Sequence, residues 1–395
     1  MKLGPSPIRR ASAFGATLAL ALALASCGSS SKPSSSLTPD SFTADFAAMA
    51  QLKDLAAQGQ GLIGVLLPDT TTSTRYEQYD RPYLTKAFKA AGLSSSDFKV
   101  DNAQGSAQTM QTQADADITN GATVLLVDAI DSGSGAAIEA NARSKGVAVI
   151  DYDRLTLGGP DDRVYVSFDN VNVGKFIGNG EISCIEAWKV KKPNILIMNG
   201  DPTDNNAKLF AQGYNGVLAP KFSSGEYVKV GEPAGTWTPA VTATNFDQQL
   251  TAHPNINAVV TANDDNANAV IADLQRQQVP PRTFPTTGQD ASLVGLQNIL
   301  KGYQCGTVYK PNSAEAQAAA AVALYLRAGE DVPSSLINGT TNDSQTGKDV
   351  RSVLLTPKWV TADNMNDTVI KDKYVTPSDL CVAVVKQACT KAGIE

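Results

Sequence analysis

Short apolar runs recur along the chain from Leu62 onward, each followed by a polar turn and then an Ala- or Gln-rich stretch with apolar residues at helical spacing. The first runs are 62–67, 98–101, 123–127 and 147–150, and 165–168 reads as a fifth. Because neighbouring parallel strands need a crossover of a dozen or more residues between them, this alternation predicts a doubly wound open sheet. The pattern restarts after Asn172 with runs at 194–198, 226–230, 258–261 and 284–286, which predicts a second sheet of similar size. A run at 307–309, a helix over 313–327, a Gly/Asn/Thr/Ser-rich loop over 338–347 and a run at 350–355 complete the pattern. The fold class is therefore α/β, with two doubly wound parallel-sheet domains. At 395 residues the chain has the length for two cores, since one core seldom grows past about 250–300 residues.

The most informative stretch is NILIMNGDPTDNNAKLF, residues 194–210. Ile195 to Met198 suit a strand buried on both faces, while Ala207, Phe210, Ala211 and Tyr214 recur at helical spacing. The polar residues between them form a strand-to-helix loop at the carboxyl edge of a parallel sheet, where open α/β folds bind ligands. Asp204, Asn205 and Asn206 there combine one carboxylate with two amides, a donor and acceptor set suited to a polyhydroxylated molecule. A plain N-cap role for Asp204 is the alternative that spacing leaves open.

The N-terminus changes the compartment. Lys2, Arg9 and Arg10 precede an apolar stretch, Ala11 to Ala25, too short for a convincing membrane span. It ends Leu24-Ala25-Ser26-Cys27, which resembles the lipobox of bacterial lipoproteins, and an ordinary cleaved signal is the alternative. Residues 1–27 are thus expected to be a signal peptide ending in the lipidated Cys27. Residues 28–60 supply a polar tether and an extra helix carrying Phe42, Phe46, Met49, Leu52 and Leu55. Formal charge is −6, or −9 once the three leader cations are gone, and there is no basic cluster outside the leader, so nucleic acid is not expected as a partner. In an oxidising compartment Cys184, Cys305, Cys381 and Cys389 are expected to form two disulfides in one of three pairings. The favoured pairing is Cys381–Cys389 with Cys184–Cys305. It requires the helix between the first two to break, because eight residues of helix separate Cα atoms by about 12 Å.

Several blocks coincide with one family. VYVSFDNVNVG (164–174), GDPTDNNAKLF (200–210), ANDDNANAVI (262–271), TGQDASLVGL (287–296), TVYKP (307–311), LLTP and DTVIKD resemble the periplasmic sugar-binding proteins of ABC importers, in particular their D-xylose-binding branch. The resemblance implies a type I periplasmic-binding-protein fold whose two lobes are joined by three hinge crossings, near 168–170, 309–311 and 351–357. Residues 61–168 with 310–348 would form the N-terminal lobe, and 169–309 with 349–395 the C-terminal lobe. It implies a ligand set of Arg75, Tyr76, Arg154, Asp204, Asn206, Trp237, Asn263, Asp290 and Lys310. Asp153, Asn205 and Asp264 adjoin these residues and would orient them.

Such a set fits the physics of a pyranose, which offers apolar C–H faces to an aromatic ring and a rim of hydroxyls to planar polar groups. Three cations against two carboxylates suit a neutral sugar. The first loop, Asp69 to Thr74, departs from the family's charged pattern, and the aromatic after Arg75 is Tyr rather than Trp, so the sugar could be D-xylose or glucose. The implied function is a substrate-binding lipoprotein that captures a monosaccharide by lobe closure and delivers it to an ABC permease, as a lipid-anchored monomer outside the cytoplasmic membrane. A sensor coupled to a membrane receptor is the alternative. A glycosidase using Asp204 and Asp290 is disfavoured because neighbouring cations would keep both acids ionised. No enzyme activity, cofactor or metal is expected, and His253, the only histidine, lies in a Pro-flanked loop.

Overall fold

The structure is a computed structural model that describes residues 37–395. The expected signal peptide, the expected lipidation at Cys27 and the expected tether up to Ser36 lie outside the described residues. The chain enters through a 3₁₀ turn at Ala47–Leu52 and helix α1, Lys53–Gln58. The single helix expected from Phe42 is shorter, because Phe46 adopts the left-handed region at φ 64° and interrupts any earlier helical run. Phe42, Phe46, Met49 and Leu52 are nevertheless buried in the main core, so this segment does pack on the first sheet.

That sheet opens with β1 (Leu62–Leu67), followed by a wide helical turn at Tyr76–Asp80 and α2 (Arg81–Ala90). It continues through β2 (Phe98–Asn102), α3 (Ala107–Thr119), β3 (Ala122–Val127), α4 (Ser132–Ser144), β4 (Ala148–Tyr152) and β5 (Val164–Phe168). These strands are parallel, with Val65 opposite both Val100 and Leu126. Ile63, Val65 and Leu67 point into one core and Leu66 into another on the opposite face. Covering both faces with helices is what makes the strand a continuous apolar run.

The second series is α5 (Asn170–Ala187), β6 (Asn194–Met198), α6 (Asn205–Ser223), β7 (Val228–Gly231), α7 (Pro239–Ala252), β8 (Ala258–Thr261), α8 (Asp264–Arg276), α9 (Leu293–Lys301) and β9 (Thr307–Tyr309). Strands β7, β6 and β8 pair in parallel. Isolated bridges Val259–Thr286 and Gln289–Val308 carry the pattern on to β9. The strand expected at 284–286 is reduced to its bridge at Thr286, since Pro285 has no N–H to extend a ladder. Helices α5 and α6 pack with their backbones in contact: a Cβ on Gly174 would fall 2.1 Å from the Phe210 carbonyl oxygen.

The chain then returns through α10 (Asn312–Arg327), which packs on the first sheet, and a hairpin of β10 (Gly339–Asp343) and β11 (Lys348–Leu355). It crosses again to β12 (Lys358–Val360), antiparallel to β9, and ends with α11 (Pro377–Leu380) and α12 (Lys386–Lys391). Among the described residues seven strands form the larger sheet, in the order β10-β11-β5-β4-β3-β1-β2, and only three form the second, β7-β6-β8, so the two sheets are not of the similar size expected. Two further expectations need correction here. The polar stretch 338–347 is not all loop: 339–343 pairs with β11 as the edge strand of a hairpin, ordered by the hydrogen bonds of that partner rather than by its own composition. Residues 349–355 were assigned to the second lobe, yet β11 pairs with β5 in the larger sheet, so the passage to the smaller sheet follows Leu355.

Both disulfides of the favoured pairing are formed, with Cα separations of 5.7 Å for Cys184–Cys305 and 5.9 Å for Cys381–Cys389. The helix break that the second pair needs lies between α11 and α12. No helix among the described residues is long and apolar enough to cross a membrane.

Candidate functional site

The carboxyl ends of strands in both sheets converge on one cavity. From the larger sheet it is lined by Thr72, Ser73, Arg75 and Tyr76 after β1 and by Asp153 and Arg154 after β4. From the smaller sheet come Asp204, Asn206 and Phe210 at the start of α6, Trp237 after β7, Asn263 after β8, and Gln289 and Asp290 before α9. Lys310 enters from the passage between β9 and α10. All nine residues of the anticipated ligand set therefore meet at one place. Loops at strand ends are where an α/β fold can vary side chains without disturbing either core.

Asp204 is the N-cap of α6 and also lines the cavity. Its Oδ1 accepts the backbone N–H of Asn206 at 2.8 Å and caps α6, while Oδ2 accepts the indole N–H of Trp237 at 3.1 Å and lies 3.4 Å from Arg154 Nε. Burial raises its pKa, against the pull of Arg154 and the Asn206 amide. Asn206 is held from behind: its Oδ1 accepts from Tyr165 Oη at 3.0 Å and from Asn170 Nδ2 at 2.9 Å, and its Nδ2 donates to the Asp153 carbonyl at 2.8 Å. One N–H of the Asn206 amide is thereby left for the cavity.

The larger-sheet wall is a charged lattice. Arg75 donates through Nε and Nη2 to both oxygens of Asp80 at 2.8 and 2.7 Å, through Nη1 to Asp153 at 2.8 Å, and through Nη2 to Glu315 at 2.7 Å. Four of its five donors are thus committed to the protein, which makes it chiefly a strut of the wall. Tyr76 Oη accepts from Arg154 Nη2 at 2.9 Å and donates to Asp153 Oδ2 at 3.3 Å. Lys310 Nζ bridges Asp290 Oδ1 at 3.2 Å and Asp153 Oδ1 at 3.5 Å. Burial by itself would raise the pKa of Asp153, but Arg75, Lys310 and Arg154 outweigh it and hold that carboxyl well below the usual range.

Carboxylates are more numerous than the sequence count implied, because Asp80, Asp128, Asp153 and Glu315 add to Asp204 and Asp290. Burial pushes Glu315 up to about 8 even against Arg75, and raises Asp128 well above its ordinary value.

Of the three orienting residues, Asp153 reaches the cavity itself. Asp264 stays behind it, accepting from Gln304 at 2.7 Å, Thr307 at 2.9 Å and the Ser292 amide at 2.7 Å, and so shapes the loop that presents Asp290. Asn205 is buried and points away from the lining. The sequence reading missed Thr72, Ser73, Phe210 and Gln289. Phe210 carried a usable signal, for it follows Asn206 by one helical turn and so shares its face. Gln289 carried none, because it and Asp290 both reach the cavity only through an irregular, left-handed turn at Asp290, φ 92°.

Three buried atoms on this lining, Arg154 Nε, Gln289 Oε1 and Asp290 Oδ1, make no hydrogen bond among the described residues, although the first faces Asp204 at 3.4 Å and the last faces Lys310 at 3.2 Å as ion pairs. Buried polar atoms normally find partners, so a ligand with several hydroxyls would complement them. Trp237 and Phe210, with ring centroids 6.5 Å apart and planes at 69°, supply the apolar surface.

Comparison with known proteins agrees with this geometry. Residues 63–331 match the periplasmic binding protein domain family. The D-xylose-binding periplasmic protein of Escherichia coli (strain K12) is 35% identical over 77% of this chain and 88% of its own length. An ABC transporter solute binding protein from Clostridium phytofermentans, solved with bound β-D-glucose, superposes with a TM-score of 0.71 at 27% identity, over 81% of this chain and 99% of that one. A carbohydrate transporter solute binding protein from Chloroflexus aurantiacus, in complex with D-glucose, gives 0.70 at 27% identity over 81% and 98%. These relatives are non-enzymatic components of transport. With its doubly wound sheets, its cavity between their carboxyl edges and these likenesses, the chain belongs to the periplasmic binding protein family, in the sugar-binding type I branch that serves ABC transport.

Proposed function

We propose that this protein captures a single neutral monosaccharide in the cavity between the two sheets and hands it to an ABC permease, with D-xylose the preferred sugar and glucose a second substrate. The observation that carries this reading is the meeting of the nine residues, from seven separate strand ends and turns, around one cavity. The xylose-binding relative from Escherichia coli supports the first sugar, and the two glucose-bound relatives support the second. Flat faces from Trp237 and Phe210 would meet the C–H faces of the ring, while Arg154, Asp204, Asn206, Asn263, Gln289, Asp290 and Lys310 would divide its hydroxyls among them.

In this reading residues 61–168 with 310–355 move as one lobe and 169–309 with 356–395 as the other. Closure is a rotation about the three chain passages, and the closed surface is what the permease recognises. Cys27 carries the lipid that keeps the monomeric protein at the outer face of the cytoplasmic membrane. Titration calorimetry of the purified protein with D-xylose, D-glucose, D-ribose and D-galactose tests the assignment. Saturable binding of xylose or glucose at one site per chain is expected, with xylose tighter. Absence of binding to both would overturn it.

A further inference from the structure

Tyr374 lies beyond the segment that matches the family, 63–331, in the stretch that follows the helical turn Asn366–Ile370. It is buried, and it touches the surroundings of the cavity at three points. Its phenol O–H donates to the backbone carbonyl of Asp290 at 2.8 Å. Its ring stacks on Tyr79 with centroids 3.9 Å apart and planes at 15°, and Tyr79 immediately precedes Asp80, the residue that grips Arg75. On another side it packs on Tyr309 at 4.9 Å, next to Lys310.

The contact with Asp290 is the informative one. Asp290 and Ala291 hold φ angles of 92° and 51°, which L-residues adopt only when their surroundings impose them. Two bonds to the Asp290 main chain do so: its N–H donates to the Val308 carbonyl at 2.8 Å, and its C=O accepts from Tyr374. With the main chain held on both sides, the side chain has one course, toward Lys310 at 3.2 Å and into the cavity. Phenylalanine at 374 would keep the ring contacts and lose the hydroxyl, with its bond to Asp290 and its contact with the Asn312 amide at 3.3 Å.

We propose that Tyr374 is a positioning residue for the sugar site: its hydroxyl fixes the Asp290 peptide, and so aims the Asp290 carboxylate at the ligand from a C-terminal segment outside the matched domain. The proposal rests on the sugar-binding reading above. A double-mutant cycle tests it, with D-xylose affinity and thermal unfolding measured for the wild-type protein, Tyr374→Phe, Asp290→Ala and the double variant. Tyr374→Phe is expected to weaken xylose binding about five- to tenfold with little change in unfolding temperature. On the Asp290→Ala background, where there is no carboxylate to aim, the same change should cost less than about twofold. Tyr374→Phe that binds xylose like wild type, or that costs as much without the Asp290 side chain as with it, would overturn the proposal. Wild-type protein that binds no sugar would instead overturn the reading on which it stands.

Discussion

The indole of Trp237 and the carboxylate of Asp204 are joined by a hydrogen bond of 3.1 Å, 33 residues apart in the chain. The same carboxylate caps α6 through its other oxygen, so the aromatic wall of the cavity is tied to a helix start. Trp237→Phe should keep an apolar face but leave Asp204 Oδ2 short of a donor, costing about 1 kcal/mol of sugar affinity. Trp237→Ala removes the face as well and should cost about 2 kcal/mol or more. Calorimetry on both variants checks the order. Equal losses would mean that the ring face contributes nothing.

Arg75 behaves differently from the other cations of the site because it donates hydrogen bonds of 2.7–2.8 Å to three buried carboxylates, whereas the ion pairs of Arg154 and Lys310 are longer, at 3.2–3.5 Å. Replacing it with Met would leave Asp80 and Glu315 without their guanidinium, and breaking a buried pair in this way costs about 3–5 kcal/mol. The expected result of Arg75→Met is a marked fall in urea stability along with any loss of affinity. Arg154→Met, which lines the cavity with its Nε unbonded, should lower affinity more than stability.

Gly200 sets the position of Trp237. A Cβ at Gly200 would fall 2.1 Å from the indole Cη2 and Cζ2 atoms, so Gly200→Ala must push the ring away from its seat. Overpacking of this kind typically costs about 1–3 kcal/mol. Sugar affinity should fall and the Trp fluorescence change on binding should shift, while Ala at the exposed, uncrowded Gly216 leaves both unaltered.

At the rim of the cleft, Asp265 at the start of α8 accepts the Thr74 backbone N–H at 3.2 Å from the loop after β1. Burial raises its pKa from the ordinary 3.8 to about 6, with Asp290 and Asp69 adding repulsion that the Thr74 bond only partly offsets. Between pH 4 and 6 the folded state therefore binds more protons at this group than the unfolded state does, and its contribution to stability falls as pH rises through that window. Asp265→Asn cannot titrate yet keeps an acceptor for Thr74. Its stability relative to wild type should improve from pH 4 to pH 6, by at most about 3 kcal/mol, and stay level above that. Urea unfolding at pH 4, 5, 6 and 7 measures the difference, and a gap independent of pH would show that Asp265 titrates normally.

Strands β1, β6, β8 and β9 begin and end at the residues that the pattern of apolar runs anticipates, because a run buried on both faces is a local property of residue order. The positions of polar residues at strand ends were legible for the same reason, and together with the family likeness they led to residues that converge on one cavity. What residue order could not carry is who partners whom. Gly339–Asp343 is a strand only because β11 offers it hydrogen bonds. Arg75 is a strut only because Glu315, 240 residues away, is folded against it. Gln289 faces the cavity only because Asp290 takes a left-handed turn that its surroundings, Tyr374 among them, enforce. Hydrogen-bond geometry and desolvation depend on atoms brought together by the packing of two sheets, and that juxtaposition exists in three dimensions alone.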